Sequence, residues 1–227
     1  MLSKGNTKLG SEIWSWSIPA VTTCPGRSQL CQKACYARRG HFVWSTVSQT
    51  YQQNLERSRR PGFSVWMQEE ILRQNCTILR IHVSGDFYDA EYTQKWREII
   101  QARRRTLFFT YTRSWRDPQI LPVLKSLTLE KNCRMWFSCD RETGAPPRAR
   151  RVRRAYMAVD DDDQAKFPVD LVFRTRHRTV MKRDRRGQLV CPYEQGVQRK
   201  IAMTCSRCRI CFGLRGAKQC RRKLLST

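Results

Sequence analysis

The chain has 227 residues, 40% of them hydrophobic, enough for the core of one large domain or of one domain with an appendage. No apolar run approaches the roughly 20 residues of a membrane helix, and residues 1–10 lack the apolar centre of a secretory signal, so the expectation is a cytoplasmic protein with no membrane partner. Lysine and arginine number 44 against 19 acids, a formal charge of +25, beyond what solubility requires; nucleic acid or another polyanion is the implied partner.

Eleven cysteines in a reducing compartment point to metal or redox chemistry rather than to disulfides, and an odd number fits poorly with complete pairing. Seven thiolates would remove only about seven positive charges, so the basic excess survives metal binding.

In chain order, residues 11–18 alternate apolar and polar side chains through Ile13, Trp16 and Ile18 and predict a strand ended by Pro19. Cys24, Cys31 and Cys35 follow, with six and then three residues between them. Residues 42–59 carry Val43, Val47, Tyr51 and Leu55 at helical steps until Pro61-Gly62 breaks the pattern, and residues 63–74 read as a second helix. Residues 78–83 read as a buried strand ending in Ser84-Gly85-Asp86-Phe87. An amphipathic helix over 92–102 leads to a strand over 107–111 that ends at Thr112-Arg113-Ser114-Trp115. Asp117-Pro118 opens a helix reaching about residue 130. Residues 133–138 form a strand ending at Cys139-Asp140, and residues 169–174 form another.

Strands alternating with helices predict βαβ units and an α/β fold with a mainly parallel sheet. The active face of such a sheet lies at the C-terminal strand ends. Polar residues recur there in three consecutive units: Ser84, Gly85 and Asp86; Thr112, Arg113 and Ser114; Ser138 and Asp140. Any one could be a helix N-cap, but the recurrence marks a site. Cys76, Cys133 and Cys139 read as small buried hydrophobes, Cys139 being the one that lies on that face.

Residues 144–154 form a basic loop or the start of a helix, and residues 174–186 form a second basic run. Either alone could be a solvated face. With Arg221-Arg222-Lys223 they compose a phosphate-binding surface of Arg148, Arg150, Arg151, Arg153, Arg154, Arg183, Arg185 and Arg186 that contacts backbone. The four aspartates at 160–163 read as a solvated turn, because like charges in a row do not converge without a metal. His82 reads as a satisfied core residue, and His177 lies in the second basic run. No Ser-His-Asp arrangement or phosphate-cradling glycine loop is present.

Near the C-terminus, Cys191, Cys205, Cys208 and Cys211 supply four thiols with the spacing of ferredoxin-type clusters and of zinc ribbons; Cys220 could replace Cys191. The pattern is strong for metal and weak for which metal. Because this set closes itself, Cys24, Cys31 and Cys35 are the candidates for a site with an open coordination position.

Taken together, Trp16-Ser17-Ile18-Pro19, Cys24-Pro25-Gly26, Cys31, Cys35-Tyr36-Ala37, Ser84-Gly85-Asp86-Phe87, Tyr111-Thr112-Arg113-Ser114-Trp115 and Cys191-Pro192 with Cys205, Cys208 and Cys211 resemble the phage and mobile-element gene product 88 family. More loosely the chain resembles radical S-adenosylmethionine enzymes. That second resemblance implies a partial (β/α) barrel over 1–186 and a small Cys-rich metal-binding extension over 187–227. It implies a [4Fe–4S] cluster on Cys24, Cys31 and Cys35 with S-adenosylmethionine on the fourth iron, and an auxiliary cluster on the C-terminal set. Ser84, Gly85 and Asp86 would contact the methionine amine, Ser138 or Asp140 the ribose, and Tyr36 would flank the cluster. A flavodoxin or ferredoxin would act as reductant. In that family the common spacing is three then two residues, here six then three. Two function classes stay open: a radical enzyme acting on or near nucleic acid, and a non-catalytic iron–sulfur or zinc protein that binds nucleic acid.

Overall fold

The computed structural model describes residues 1–175, 182–194 and 203–213. One mixed α/β sheet contains strands β1 (Ser3–Lys4), β2 (Trp14–Trp16), β3 (Ile78–Ile81), β4 (Leu107–Thr112), β5 (Cys133–Cys139), β6 (Arg153–Ala158) and β7 (Leu171–Arg174). They lie side by side in that order. β1 pairs antiparallel with β2 through Lys4 and Trp14, and every later pair is parallel. In register, Trp16 faces Ile81, Ile81 faces Thr110, Phe109 faces Arg134 and Phe137 faces Arg154.

Parallel neighbours need crossovers, and helices supply them on one side. α1 (Gln29–Ala34), α2 (Ser45–Arg59) and α3 (Phe63–Arg73) separate β2 from β3; α4 (Ala90–Ala102) precedes β4, and α5 (Ile120–Leu127) precedes β5. Asp89 caps α4 by accepting from the Tyr92 N–H at 2.7 Å. Asp117 accepts from the N–H groups of Gln119 and Ile120 at 2.8 and 3.2 Å, which moves the start of α5 past Pro118. Residues 140–152 and 159–170 cross without an α-helix. No described helix is long and apolar enough to cross a membrane.

Both faces of the sheet centre are buried, so β3, β4 and β5 carry apolar side chains on both sides. Trp16, Leu79, Ile81, Phe108, Met135, Phe137 and Tyr156 pack against Phe63, Met67, Trp96, Ile99 and Leu124 of the helices. Burial of one such large side chain contributes about 1.5–3 kcal/mol. The alternate positions, Ile78, Phe109, Trp136, Ala155 and Leu171, face Leu9, Cys191, Ile210, Cys211 and Phe212. This second face is therefore covered by residues from both ends of the chain. The Cys205 and Ser206 N–H groups donate to Lys8 and Leu9 carbonyls at 2.8 and 3.0 Å, and Trp136 Nε1 donates to the Cys211 carbonyl at 2.8 Å. α6 (Cys205–Cys208) belongs to this cover.

Three expectations change. β6 was not legible: its Arg153-Arg154 start lies in a basic run, and its apolar content is limited to Ala155, Tyr156, Met157 and Ala158. α2 begins at Ser45, after a 3₁₀ turn over Gly40–Val43. The strand expected over residues 11–18 is confined to Trp14–Trp16; Cys139, at the end of β5, is buried in the helix-facing core as expected, where Sγ donates to the Ala155 carbonyl at 3.4 Å.

His82 sits just past β3 with φ of +62°. Trp16 Nε1 donates to the Tyr92 hydroxyl at 2.9 Å, and that hydroxyl shares a hydrogen bond with His82 Nε2, 2.8 Å away. The imidazole is neutral, with burial pushing its pKa down to about 3, helped by Arg80. Between the ordinary value of 6.5 and about 3 the unfolded chain binds the extra proton, so stability falls as pH drops through that window. His82→Gln will lose stability less steeply than the parent on acidification, by up to about 1.4 kcal/mol per pH unit, in urea unfolding measured from neutral pH downward. Equal slopes would place the imidazole in water.

Candidate functional site

The loop after β2 is tied to the ends of three other strands. Its Ile18 N–H donates to the Ser84 carbonyl at 3.1 Å. Ser28 caps α1, its Oγ accepting from the Cys31 N–H at 2.9 Å and donating to Asp140 Oδ2 at 2.5 Å. The same Oδ2 accepts from Arg113 Nη1 at 2.6 Å, an ion pair with both side chains buried. Asp140 Oδ1 accepts from the Glu142 and Thr143 N–H groups. Asp86 joins β3 to β4, accepting from the Arg113 N–H at 2.8 Å, and also takes the Phe87 N–H. Arg116 Nη1 reaches the Gly26 and Arg27 carbonyls at 3.1 Å.

Two glycines permit this closeness. A Cβ on Gly26 would stand 1.9 Å from the Arg113 carbonyl oxygen. Gly85 has φ of +80°, and its Cβ would stand 2.3 Å from Ile18 Cγ1.

Cys24, Cys31 and Cys35 share one electrostatic neighbourhood. Burial pushes the Cys24 thiol up to about 12, with Asp86 next and Cys31 and Cys35 acting in the same direction. Cys31 is raised first by burial, with Arg113 opposing and Cys35, Asp140 and Asp86 adding to the rise. Asp86 itself is pushed up to about 6 by burial, against the hydrogen bonds from Thr112 and the Arg113 N–H. The described cysteines are free thiols. Among the described residues no group of three or more His, Cys, Asp or Glu side chains is gathered tightly enough to hold a single metal ion.

Of the residues expected to meet a cofactor, Ser84 has a buried Oγ with no hydrogen-bond partner, and Ser138 is half-buried on the β5 face that also carries Trp136. Gly85 is packed on Ile18 and Thr23, while the Asp86 and Asp140 carboxylates are engaged in joining the strand ends. The Tyr36 hydroxyl donates to the Val83 carbonyl, which holds its ring beside the end of β3. Ser28 and Arg116 were missed from sequence. A serine directly before a helix is a visible N-cap signal, but nothing local names Asp140 as its partner.

The second cysteine set lies against the other face of the sheet. Cys191 and Cys211 are buried there, with Cys205 and Cys208 packed beside them. Cys191 is raised by burial first, with Lys8 opposing and Glu194, Cys211 and Cys205 adding; burial, then Cys205, pushes Cys211 up to about 11. Two half-buried cations stand among these thiols. Burial works against the charge of Lys8, yet Cys191, Cys205 and Glu194 raise it overall. Burial also works against Arg80, and Tyr36, Cys205, Tyr111 and Cys211 outweigh it. Lys8 Nζ lies over the Phe173 and Tyr193 rings at 5.4 and 5.1 Å, and Arg80 lies over Tyr111 at 5.6 Å.

The basic residues divide. Arg148, Arg150 and Arg186 are exposed, and Arg151, also exposed, reaches the Leu129 carbonyl at 3.1 Å. Arg153 points inward, over the Trp136 ring and onto the Ile210 carbonyl at 2.9 Å, and Arg154 is half-buried on the Pro146 carbonyl. Arg183 bonds the Gly187 carbonyl, and Arg185 pairs with Asp162 at 2.8 Å. The aspartates at 160–163 have separate roles: Asp161 pairs with Arg174, Asp163 accepts from the Tyr156 hydroxyl, and Asp160 caps its own turn. His177, Cys220 and Arg221-Arg222-Lys223 lie outside the described residues.

A family model described as Gene product 88 matches residues 1–213. The "Gene 88 protein" of Mycobacterium phage L5 is 28% identical over 129 residues, covering 52% of each chain. Its namesake from Mycobacterium phage D29 is 27% identical over 129 residues with the same coverage. The match thus spans about half the length of these curated relatives. No solved structure matches.

Asp140→Asn strips the anion from a buried arginine, which typically costs about 3–5 kcal/mol. The expected result in denaturant unfolding is a loss of that order, with faster alkylation of Cys31 under native conditions as α1 loosens. Unchanged stability would show that the pair does not hold the loop.

Proposed function

The chain belongs to the gene product 88 family, and we propose that it is an iron–sulfur protein whose Cys24, Cys31 and Cys35 hold a [4Fe–4S] cluster with one position open to S-adenosylmethionine. The observation that carries this reading is the bonding of the three-thiol loop, through Ser28, Asp140 and Arg113, to the C-terminal strand ends. A structural metal staple requires no such placement, whereas parallel sheets carry their active sites there. The six parallel strands β2 to β7, in sequential order, suit a partial (β/α) barrel.

The donor chemistry fits. Three thiolates bound to three different irons need less convergence than three around one zinc ion, and Arg113 stands beside Cys31 to balance charge. When bound and reduced by a flavodoxin or ferredoxin, the cluster would supply the electron for reductive cleavage of S-adenosylmethionine. The chain's own contribution is placement. The unpartnered Ser84 hydroxyl and the Gly85 backbone would meet the methionine end, and Ser138 the ribose. Asp86 and Asp140 fix the strand ends that present these groups. Tyr36 would flank the cluster from the end of β3.

Cys191, Cys205, Cys208 and Cys211 would hold a second, closed centre, for which the half-buried Lys8 and Arg80 are the counter-charges. One observation favours a non-catalytic alternative: this set lines the cover of the second sheet face, the place of a structural staple, iron or zinc. The basic excess suits a nucleic-acid partner in either case.

Anaerobic purification is expected to give a brown protein containing iron and sulfide, and Cys31→Ala is expected to lose roughly four irons while keeping the rest. With dithionite and S-adenosylmethionine the parent releases 5′-deoxyadenosine and the variant does not. A colourless zinc protein, or a fully assembled cluster that cleaves nothing, leaves the staple reading.

A further inference from the structure

Residues 33–44, which include Cys35 and Tyr36, form a ledge beside Cys24 and Cys31. The chain has no acidic residue between Glu12 and Glu56, yet this stretch carries Arg27, Lys33, Arg38 and Arg39, all exposed. Among the described residues none of the four is in an ion pair. Arg39 Nη2 donates to the Lys33 carbonyl at 3.2 Å and Arg38 Nη1 approaches the Gln32 carbonyl at 3.5 Å, which steadies both guanidinium groups at the surface.

The same stretch exposes large apolar side chains. Trp44 is 65% exposed and Tyr36 54%. They end a row of rings: Tyr36 meets Phe42 edge-on at 5.4 Å, Phe42 lies 4.1 Å from His41, and His41 meets Trp44 edge-on at 6.4 Å. The row is anchored, because Phe42 packs on the core of the second sheet face and Tyr36 is bonded to Val83. Anchored rings lose little entropy when something stacks on them.

We propose that this ledge binds single-stranded nucleic acid, with bases stacked on Trp44, His41 and Tyr36 and phosphates on Arg38, Arg39 and Lys33, leading the strand toward Cys24, Cys31 and Cys35. Cations and aromatic rings interleaved within twelve residues match the alternation of phosphate and base along one strand. A duplex keeps its bases stacked on each other and cannot offer them to the rings. Charge complementarity names the partner: the ledge is free of acid on a chain of net charge +25. Only the last step, delivery to the thiols, rests on the proposed function; binding does not.

The test is fluorescence anisotropy of the full chain with labelled single-stranded DNA and RNA of about 15 nucleotides, at several salt concentrations. Trp44→Ala is expected to weaken binding on the order of tenfold. Arg38→Gln combined with Arg39→Gln is expected to lower the salt slope by about 1.4. Arg148→Gln with Arg150→Gln, exposed residues outside the ledge, should change affinity much less. Iron is measured on every variant, so loss of the cluster and loss of the ledge are read separately. The proposal is overturned if Trp44→Ala and the Arg38/Arg39 variant both bind like the parent, or if the Arg148/Arg150 variant carries the whole loss. It is equally overturned if duplex competes as well as single strand, or if the protein binds vesicles of phosphatidylserine and not the oligonucleotides.

Discussion

The buried pair between Arg113 and Asp140 is the constraint on which the rest of the site depends. Its carboxylate accepts from the guanidinium at 2.6 Å and from the Ser28 hydroxyl at 2.5 Å, so one anion fixes both the end of β4 and the cap of α1. Taking two charges out of water is costly, and hydrogen bonds to the remaining lone pairs are what make such a pair tolerable. Asp140 has them, from the N–H groups of Glu142 and Thr143. The result is a rigid frame in which the Cys31 N–H, and with it the thiol loop, has little freedom. A loop that only closed the sheet would not need this.

The sheet itself explains why there are two cysteine sets and not one. Its helix-facing side is filled by ordinary apolar packing around Trp16, Trp96 and Phe137. The other side has no helices from the crossovers, and the segment holding Cys191, Cys205, Cys208 and Cys211 covers it together with Leu9. Lys8 and Arg80, half-buried, stand among these thiols. Beside thiolates on a metal, as proposed, they would balance charge.

Much of the architecture was legible because β3, β4 and β5 are short apolar runs between amphipathic helices, the pattern of a parallel sheet buried on both faces. β6 was not, since Arg153 and Arg154 mask it: one lies flat on Trp136 and the other on a loop carbonyl, and only the tertiary structure reveals that. Asp86, Arg113 and Asp140, named from the recurrence of polar strand ends, are joined to one another in the structure. The recurrence did not distinguish carboxylates that join strands from hydroxyls that remain unpartnered, such as Ser84, because the difference lies in partners 27 to 112 residues away. The basic runs read as one surface, yet Arg153 is directed inward and Arg185 is paired. The acid-free stretch before Glu56 was visible in the sequence, but its exposed rings were not.

The central claim is that Cys24, Cys31 and Cys35 hold a cluster with one open position. Electron paramagnetic resonance of the dithionite-reduced protein tests it most directly, with and without S-adenosylmethionine. The account predicts a [4Fe–4S] signal whose g-values shift when S-adenosylmethionine is added and which disappears in Cys31→Ala, leaving only the signal of the C-terminal centre. A signal indifferent to S-adenosylmethionine and unchanged in Cys31→Ala would contradict it.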